Sequence, residues 1–447
     1  MARTGALAID APLTAFGYLC GPTDPVAAMS LQGPVVLVAE RSRADLAAAL
    51  RERGACPLVE ATWREAPAAV RKARPAGVVI EDPSPSPEAA GALRQALEAM
   101  RDPYLPVLES LSGRAPAIAG TLPLAPNAQP ARLIARLASA QRVRTLHATV
   151  LRRAGALAAD GGEVPPAPAG DPLDDATVLV AGRGRSYPDL TTAVGERLGL
   201  IGALSVETAA RHLNARDLDG IVIGDGFGPR MVDAFLTALS EDSRFRDLPI
   251  ALVAGVTVSV DCSALPNFEH IDGPPHDVVE RMLPLVRQHA LEARLQRALA
   301  AIEAKGMLDP HTGLFTIVAF LRDLARAVED GRRVRLSLSL GRICFPTALD
   351  RRTSLDVARQ TSRLVRSVDF ACRASDGSIL LAFPNTALRS AHVIARRLAS
   401  ALKQTMLAIH GTDGPTDPMV TLATLKPEDT VESLLARVSD PAVVAAG

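Results

Sequence analysis

Residues 364–386 read LVRSVDFACRASDGSILLAFPNT, with Arg366 and Asp369 three positions apart and five residues between Asp369 and Ser375-Asp376-Gly377. Asp-Gly between the apolar runs DFACRA and SILLAF signals a hairpin, because glycine tolerates the positive φ of a tight turn. A guanidinium is a planar fork that bonds phosphate oxygens in pairs and stacks on flat rings. A carboxylate beside it accepts from two donors placed side by side. Arginine and aspartate on adjacent turns of a helix end could therefore grip one anion and read one polar ring edge. The spacing alone decides nothing, since Arg216…Asp219, Arg230…Asp233 and Arg244…Asp247 repeat it. Such an i,i+3 pair is ordinarily a solvated surface contact contributing roughly a few tenths of a kcal/mol. The stretch is either a plain hairpin with a surface pair ahead of it or the remnant of a site.

The elements around it read as a third region, 307–447. After LDPHTGLF come a helix (317–330), a strand (334–345), a helix (354–367), the hairpin, a helix (388–404) and a weak strand (419–425). Hairpin strands mixed with helices predict an α+β sheet domain. Ahead of it, residues 34–153 alternate short apolar strands (34–40, 76–82, 105–111) with amphipathic helices, the pattern of a parallel sheet covered by helices. Residues 154–175, rich in Ala, Gly and Pro, read as a flexible linker. The pattern then recurs over 176–290: ATVLVAGRGRS parallels PVVLVAERSRA, LDGIVIGDGFGP parallels PAGVVIEDPSPS, and DLPIALVAG parallels YLPVLESLSG. One α/β unit of roughly 110 residues is duplicated. The run 276–306 suits a connecting or dimerising helix. Residues 1–33 form an N-terminal segment with no signal-peptide core.

Composition narrows the function classes. A chain of 447 residues is long enough for about three domains. Formal net charge is zero and aromatics are 3%, so neither bulk electrostatic binding of nucleic acid nor a base-stacking platform is expected. Apolar runs such as 250–260 are far too short to span a bilayer, so no membrane insertion is expected. Five scattered cysteines without a C-x-x-C fit a reducing compartment, and no His/Cys grouping has metal-ligand spacing. The expectation is a cytoplasmic protein.

The duplicated units resemble receiver domains of response regulators. That resemblance implies two doubly wound (βα)5, flavodoxin-like domains, with acidic residues after strand 1 holding Mg²⁺ and an aspartate after strand 3 taking a phosphoryl group. Here the acidic pair is Ala39-Glu40 and Ala181-Gly182, and the phosphoacceptor positions fall on Glu81 and Gly224. Asp82 and Asp225 stand one place late, and the Lys-Pro element becomes Ala125-Pro126 and Gly273-Pro274. Both units read as receiver folds that have lost Mg²⁺-dependent phosphorylation. Glu81 could mimic a phosphate, though a solvated loop glutamate is the plainer reading.

The third region resembles the GGDEF domain of diguanylate cyclases. DPHTGLFTIVAF (309–320) is similar to the family's D-x-L-T-G-L-x-N-R-R-x-F through Asp309, Thr312, Gly313, Leu314 and Phe320. The hairpin followed by FPNT resembles the G-G-[DE]-E-F hairpin. The whole chain thus resembles a receiver–receiver–GGDEF response regulator of a two-component system. The family joins two GTP molecules with Mg²⁺, which takes oxygen ligands. Where its carboxylates, lysine and asparagine stand, this chain has Gly341, Ile343, Pro346 and Leu349. The signature itself reads Ser375-Asp376-Gly377-Ser378-Ile379, with Asp376 a turn former. Metal, base and phosphate contacts are lost together, so no catalytic residue, metal or required cofactor is expected, and the domain reads as a degenerate cyclase.

What is kept matches the family's inhibitory site, R-x-x-D five residues ahead of the signature, with a second arginine on the following helix. By that resemblance Arg366, Asp369 and Arg397 bind cyclic di-GMP. Arg373 is a further candidate, for which a solvent-facing strand position is the plainer reading. The expected function is a non-catalytic cyclic di-GMP receptor, homodimeric, signalling through an unidentified protein partner. A ligand-independent scaffold or adaptor is the alternative, and a weak cyclase is a third reading that the missing carboxylates disfavour.

Overall fold

The computed structural model describes residues 33–439 except 42, 56, 112–115, 126, 127, 160, 167–169, 254, 257, 261, 263, 264, 335, 336, 347, 367 and 411–416. The first unit runs β1 (Val35–Val38), α1 (Ala44–Glu52), β2 (Leu58–Ala61), α2 (Ala66–Ala73), β3 (Gly77–Ile80), α3 (Pro87–Glu98), β4 (Val107–Ser110), β5 (Leu122–Leu124) and α4 (Pro130–Ala159). Its sheet is parallel in the order β2-β1-β3-β4-β5. Central β1 and β3 are buried throughout, which is why they read as unbroken apolar runs.

The second unit repeats this as β6 (Thr177–Ala181), α5 (Tyr187–Gly195), β7 (Gly199–Ala203), α6 (Val206–Ala215), β8 (Gly220–Ile223), α7 (Pro229–Glu241), β9 (Ile250–Val253), β10 (Phe268–Ile271) and α8 (Pro275–Glu303). Its sheet order, β10-β9-β8-β6-β7, is the same order seen from the other edge. Both sheets carry the 2-1-3-4-5 strand order of doubly wound flavodoxin-like folds. Between the fourth and fifth strands neither unit forms a helix among the described residues. Among the described residues each is thus one helix short of the expected (βα)5 pattern.

The two units share one core. A single apolar cluster joins Leu37 and Val79 of the first sheet to Leu133 and Leu137 of α4, Met282 and Val286 of α8, and Val178 and Val222 of the second sheet. Within it Arg136 is fully buried and donates to the Glu269 carboxylate at 2.6 Å and to the Pro266 and Phe268 carbonyls. Arg281 donates to the same carboxylate at 3.1 Å. One face of α8, the helix read as connecting or dimerising, is covered by α4 of the same chain. The linker reading of 154–175 also changes. Residues 154–159 continue α4, and Pro172–Asp175 form a 3-10 helix held to α8 by Arg287–Asp171 and Arg294–Asp175, each at 2.8 Å. Alanine at 154, 156, 158 and 159 favours helix despite Gly155.

The C-terminal domain comprises α9 (Ile317–Val334), β11 (Leu338–Cys344), α10 (Arg351–Leu364), β12 (Phe370–Arg373), β13 (Ile379–Pro384), α11 (Leu388–His410), β14 (Met419–Thr424) and α12 (Val431–Ser439). Its sheet is antiparallel in the order β12-β13-β11-β14. Alternation along the strands divides the core. Ile343, Leu381 and Phe383 meet α10 and α11 through Val357, Ala358, Ala395 and Leu398. Leu340, Leu380 and Ala382 meet α9 and α12 through Phe320, Leu324, Leu434 and Val438. Asp309 and Thr312 build the turn before α9: Asp309 Oδ1 accepts from the His311 and Thr312 backbone N–H groups and the Thr312 hydroxyl at 2.8–2.9 Å. Among the described residues no helix is long and apolar enough to cross a membrane.

Candidate functional site

Arg366 and Asp369 lie in the turn that carries the chain from α10 into β12, closed by the Asp369 N–H donating to the Arg366 carbonyl at 3.0 Å. Val365 ends the helix with an extended backbone, which releases Arg366 from helical geometry. The Arg366 side chain is exposed, whereas Asp369 is buried. Burial raises the Asp369 carboxyl above its usual range, and Arg366 nearby pulls partly the other way. Arg397 stands exposed on α11, which packs against α10 in the same layer. No hydrogen bond or ion pair among the described residues ties Arg397 to Arg366 or Asp369. Arg373 ends edge strand β12, and alternation puts it on the same face as Ala371, toward the α10–α11 layer. It is exposed there.

The hairpin keeps its shape through its own hydrogen bonds. Gly377 sits at φ +84°, and the Ala374 N–H donates to the Ser378 carbonyl at 2.8 Å. Asp376 Oδ1 accepts from the Ser378 N–H and hydroxyl at 3.0 and 2.7 Å, and Oδ2 is paired with Arg342. Partial burial would raise the Asp376 carboxyl, but Ser378 and Arg342 outweigh it and hold it below its usual range. A shallow cavity of 240 Å³ beside the turn is lined by Cys344, Phe345, Ala348, Leu349 and residues 376–378. Its single carboxylate is thus already occupied by an arginine. At Gly341 a Cβ would lie 3.0 Å from Leu422 Cδ2 and 3.3 Å from Phe383 Cε2, so that position faces apolar side chains. Among the described residues no group of three or more His, Cys, Asp or Glu could hold a metal ion.

The N-terminal positions differ from each other. Glu81 is not a solvated loop residue: its side chain is 11% exposed and paired with Arg43 at 3.0 Å. Burial raises its carboxyl, with Arg43 opposing. Beside it Asp82 accepts from the Glu40 N–H at 2.6 Å, and its carbonyl accepts from the Trp63 indole at 3.0 Å. Gly224 packs on Leu190, and the neighbouring Asp225 crosses to the loop after β6, accepting from the Arg185 and Ser186 N–H groups. The Ser186 hydroxyl bonds it too and heads the causes that lower its pKa. Pro126 and residues 440–447 lie outside the described residues.

The fold and these groups define a class: two doubly wound parallel units sharing a core, followed by an antiparallel α+β domain with an Arg–Asp turn beside a closed hairpin. No protein-family model matches the chain, and no curated protein matches it. Among solved structures it is similar to the GGDEF domain of FimX from Pseudomonas aeruginosa, with 17% identity over 32% of this chain and 95% of that one, TM-score 0.28. It is also similar to the coiled coil and GGDEF domain of DgcB from Caulobacter crescentus, solved with c-di-GMP, with 18% identity over 34% and 86%, TM-score 0.26. A third likeness is to the diguanylate cyclase SiaD of Pseudomonas aeruginosa, solved with its activator SiaC, with 20% identity over 34% and 61%, TM-score 0.29.

Proposed function

We propose that this chain is a non-catalytic receptor for cyclic di-GMP, with a degenerate GGDEF domain as the binding module and the two parallel units as degenerate receiver domains that dock partners. The observation that carries the reading is the Arg366–Asp369 turn in its register ahead of the hairpin. An exposed guanidinium and an inward carboxylate stand on one turn, with Arg397 on the adjacent helix. Arginine grips the phosphate and stacks on the purine, and the aspartate accepts from the paired N–H donors of guanine. Arg342 on Asp376 and the apolar wall at Gly341 support a hairpin without metal chemistry. Ligand binding biases the chain between two arrangements by its differential affinity for them, and a protein partner reads the outcome.

Titration calorimetry with cyclic di-GMP tests this: wild type gives a binding isotherm and Arg366→Ala loses it. No heat from wild type, or an unaltered isotherm in the variant, sinks the reading and leaves the ligand-independent scaffold. The same protein incubated with GTP and Mg²⁺ or Mn²⁺ is expected to form no cyclic dinucleotide above a protein-free blank. Product above that blank would restore the weak cyclase.

A further inference from the structure

Between the second unit and the C-terminal domain lies a cavity of about 600 Å³, a volume typical of small-molecule sites. Its walls come from the α6–β8 turn, the α7–β9 connection, the C-terminal half of α8, the Thr312-Gly313 turn and one side of α10. Two of the R-x-x-D repeats meet here, since Arg216, Asp219, Arg244 and Asp247 all line it. Arg216 and Asp219 are 7% and 8% exposed, so the solvated-pair reading fails for them.

The carboxylates around the cavity are already committed. Asp219 accepts from the Thr177 N–H at 2.9 Å and faces His289 Nδ1 at 3.4 Å. Asp217 pairs with Arg363 at 2.9 Å. Asp247 accepts from the Ser139 hydroxyl and from Arg142. Burial raises the Glu292 carboxyl above its usual range, with His289 opposing.

Two guanidiniums are not committed in this way. Arg297 Nε is buried with no hydrogen-bond partner. Arg359, itself 7% exposed, gives Nε to the His311 carbonyl at 3.0 Å, but its buried Nη2 has no hydrogen-bond acceptor. Its nearest carboxylate oxygen, Asp175 Oδ2 at 3.7 Å, is already held by Arg294 at 2.8 Å, and Arg351 lies 3.6 Å from the other oxygen. Asp175 faces three arginines, and the partly buried Asp356 also acts on Arg359. Burial, and then the charge of Arg359, pull the Arg297 guanidinium down to about 10. Buried cations with unmade hydrogen bonds are costly, and an anion placed between them would supply the missing acceptors.

We propose that this cavity is a second ligand site, distinct from the Arg366 turn, in which a small phosphate-bearing molecule places its phosphate between Arg297 and Arg359. The ligand would tie α8 to α10 and so fix the C-terminal domain against the second unit. The volume admits a phosphate with an organic group attached, and Arg244 stacked 4.9 Å over the Phe245 ring offers a flat surface for it.

The test is calorimetry on the full chain with inorganic pyrophosphate and with adenosine monophosphate. At least one probe is expected to bind wild type, with Arg297→Met and Arg359→Met each weakening it by about tenfold or more, the scale of a charge-assisted bidentate contact. Arg366→Ala is expected to bind the probe as wild type does. Unliganded Arg297→Met is expected to melt no lower than wild type, because it removes a buried charge without an acceptor. Absence of binding by either probe, undiminished binding in both methionine variants, loss of binding in Arg366→Ala, or a lower melting point for Arg297→Met would each overturn the site.

Discussion

Asp369 is the member of the proposed ligand pair whose ionisation can be followed. Burial holds its folded pKa above the unfolded value of about 3.9, so folding makes the proton harder to lose. Its contribution to stability is therefore full below that value and is lost as pH rises through the raised one. Guanine N–H donors need the carboxylate, so ligand binding must remove that proton when it is still present. Cyclic di-GMP affinity, measured by calorimetry from about pH 4 to 7, is expected to strengthen with pH and then level off. Asp369→Asn should bind weakly with no such slope, and a flat wild-type profile would remove Asp369 from the site. Arg366 and Asp369 stand in one short stretch ahead of the hairpin, whereas Arg397, on the following helix, was singled out only by the family resemblance. The committed state of Asp376 was half legible: its turn role shows in Asp-Gly, but Arg342 meets it only across the sheet. Arg297 and Arg359 could not be found from spacing, because α8 and α10 bring them together from distant segments.

At the scale of elements, the six strands that read as apolar runs in the parallel units are the six interior ones: β1, β3, β4, β6, β8 and β9. The four that escaped, β2, β5, β7 and β10, are the four sheet edges. Edge strands are short and tolerate residues that interior strands exclude. Glu60, Pro123, Gly202 and Glu269 interrupt them in turn. Helix α12 also lay hidden, since nine residues carry little periodicity. The hairpin between β12 and β13 was the clearest local element, and its turn depends on φ +84° at Gly377. Nothing lies within 4 Å of a Cβ built there, so any cost of Gly377→Val comes from the backbone alone. Denaturant unfolding is expected to show a loss of about 1–2 kcal/mol. Cyclic di-GMP binding should be unchanged in that variant, because the turn lies beyond the ligand pair; a weakened isotherm would mean that the turn shapes the site.

At the scale of the whole molecule, the duplicated pattern foretold two units but not that they form one body. The apolar faces of α4 and α8 are satisfied by each other, and Glu269 is the carboxylate on which buried Arg136 and partly exposed Arg281 converge. Glu269→Ala leaves Arg136 without a counter-charge in the core and is expected to cost about 3–5 kcal/mol by denaturant unfolding. Both units should unfold together in wild type, and a variant that loses only one of two separate transitions would contradict the shared core. Helix α8 begins in that core and runs 29 residues to the edge of the C-terminal domain, a length of about 44 Å. Its length sets the direction in which the chain leaves the paired units for the C-terminal domain, which is also tied to the second unit by Arg363–Asp217 at 2.9 Å. One alanine inserted near its far end would index the C-terminal domain by about 100° while leaving the shared core in place. The chain's phase, not only its contacts, is set along that axis.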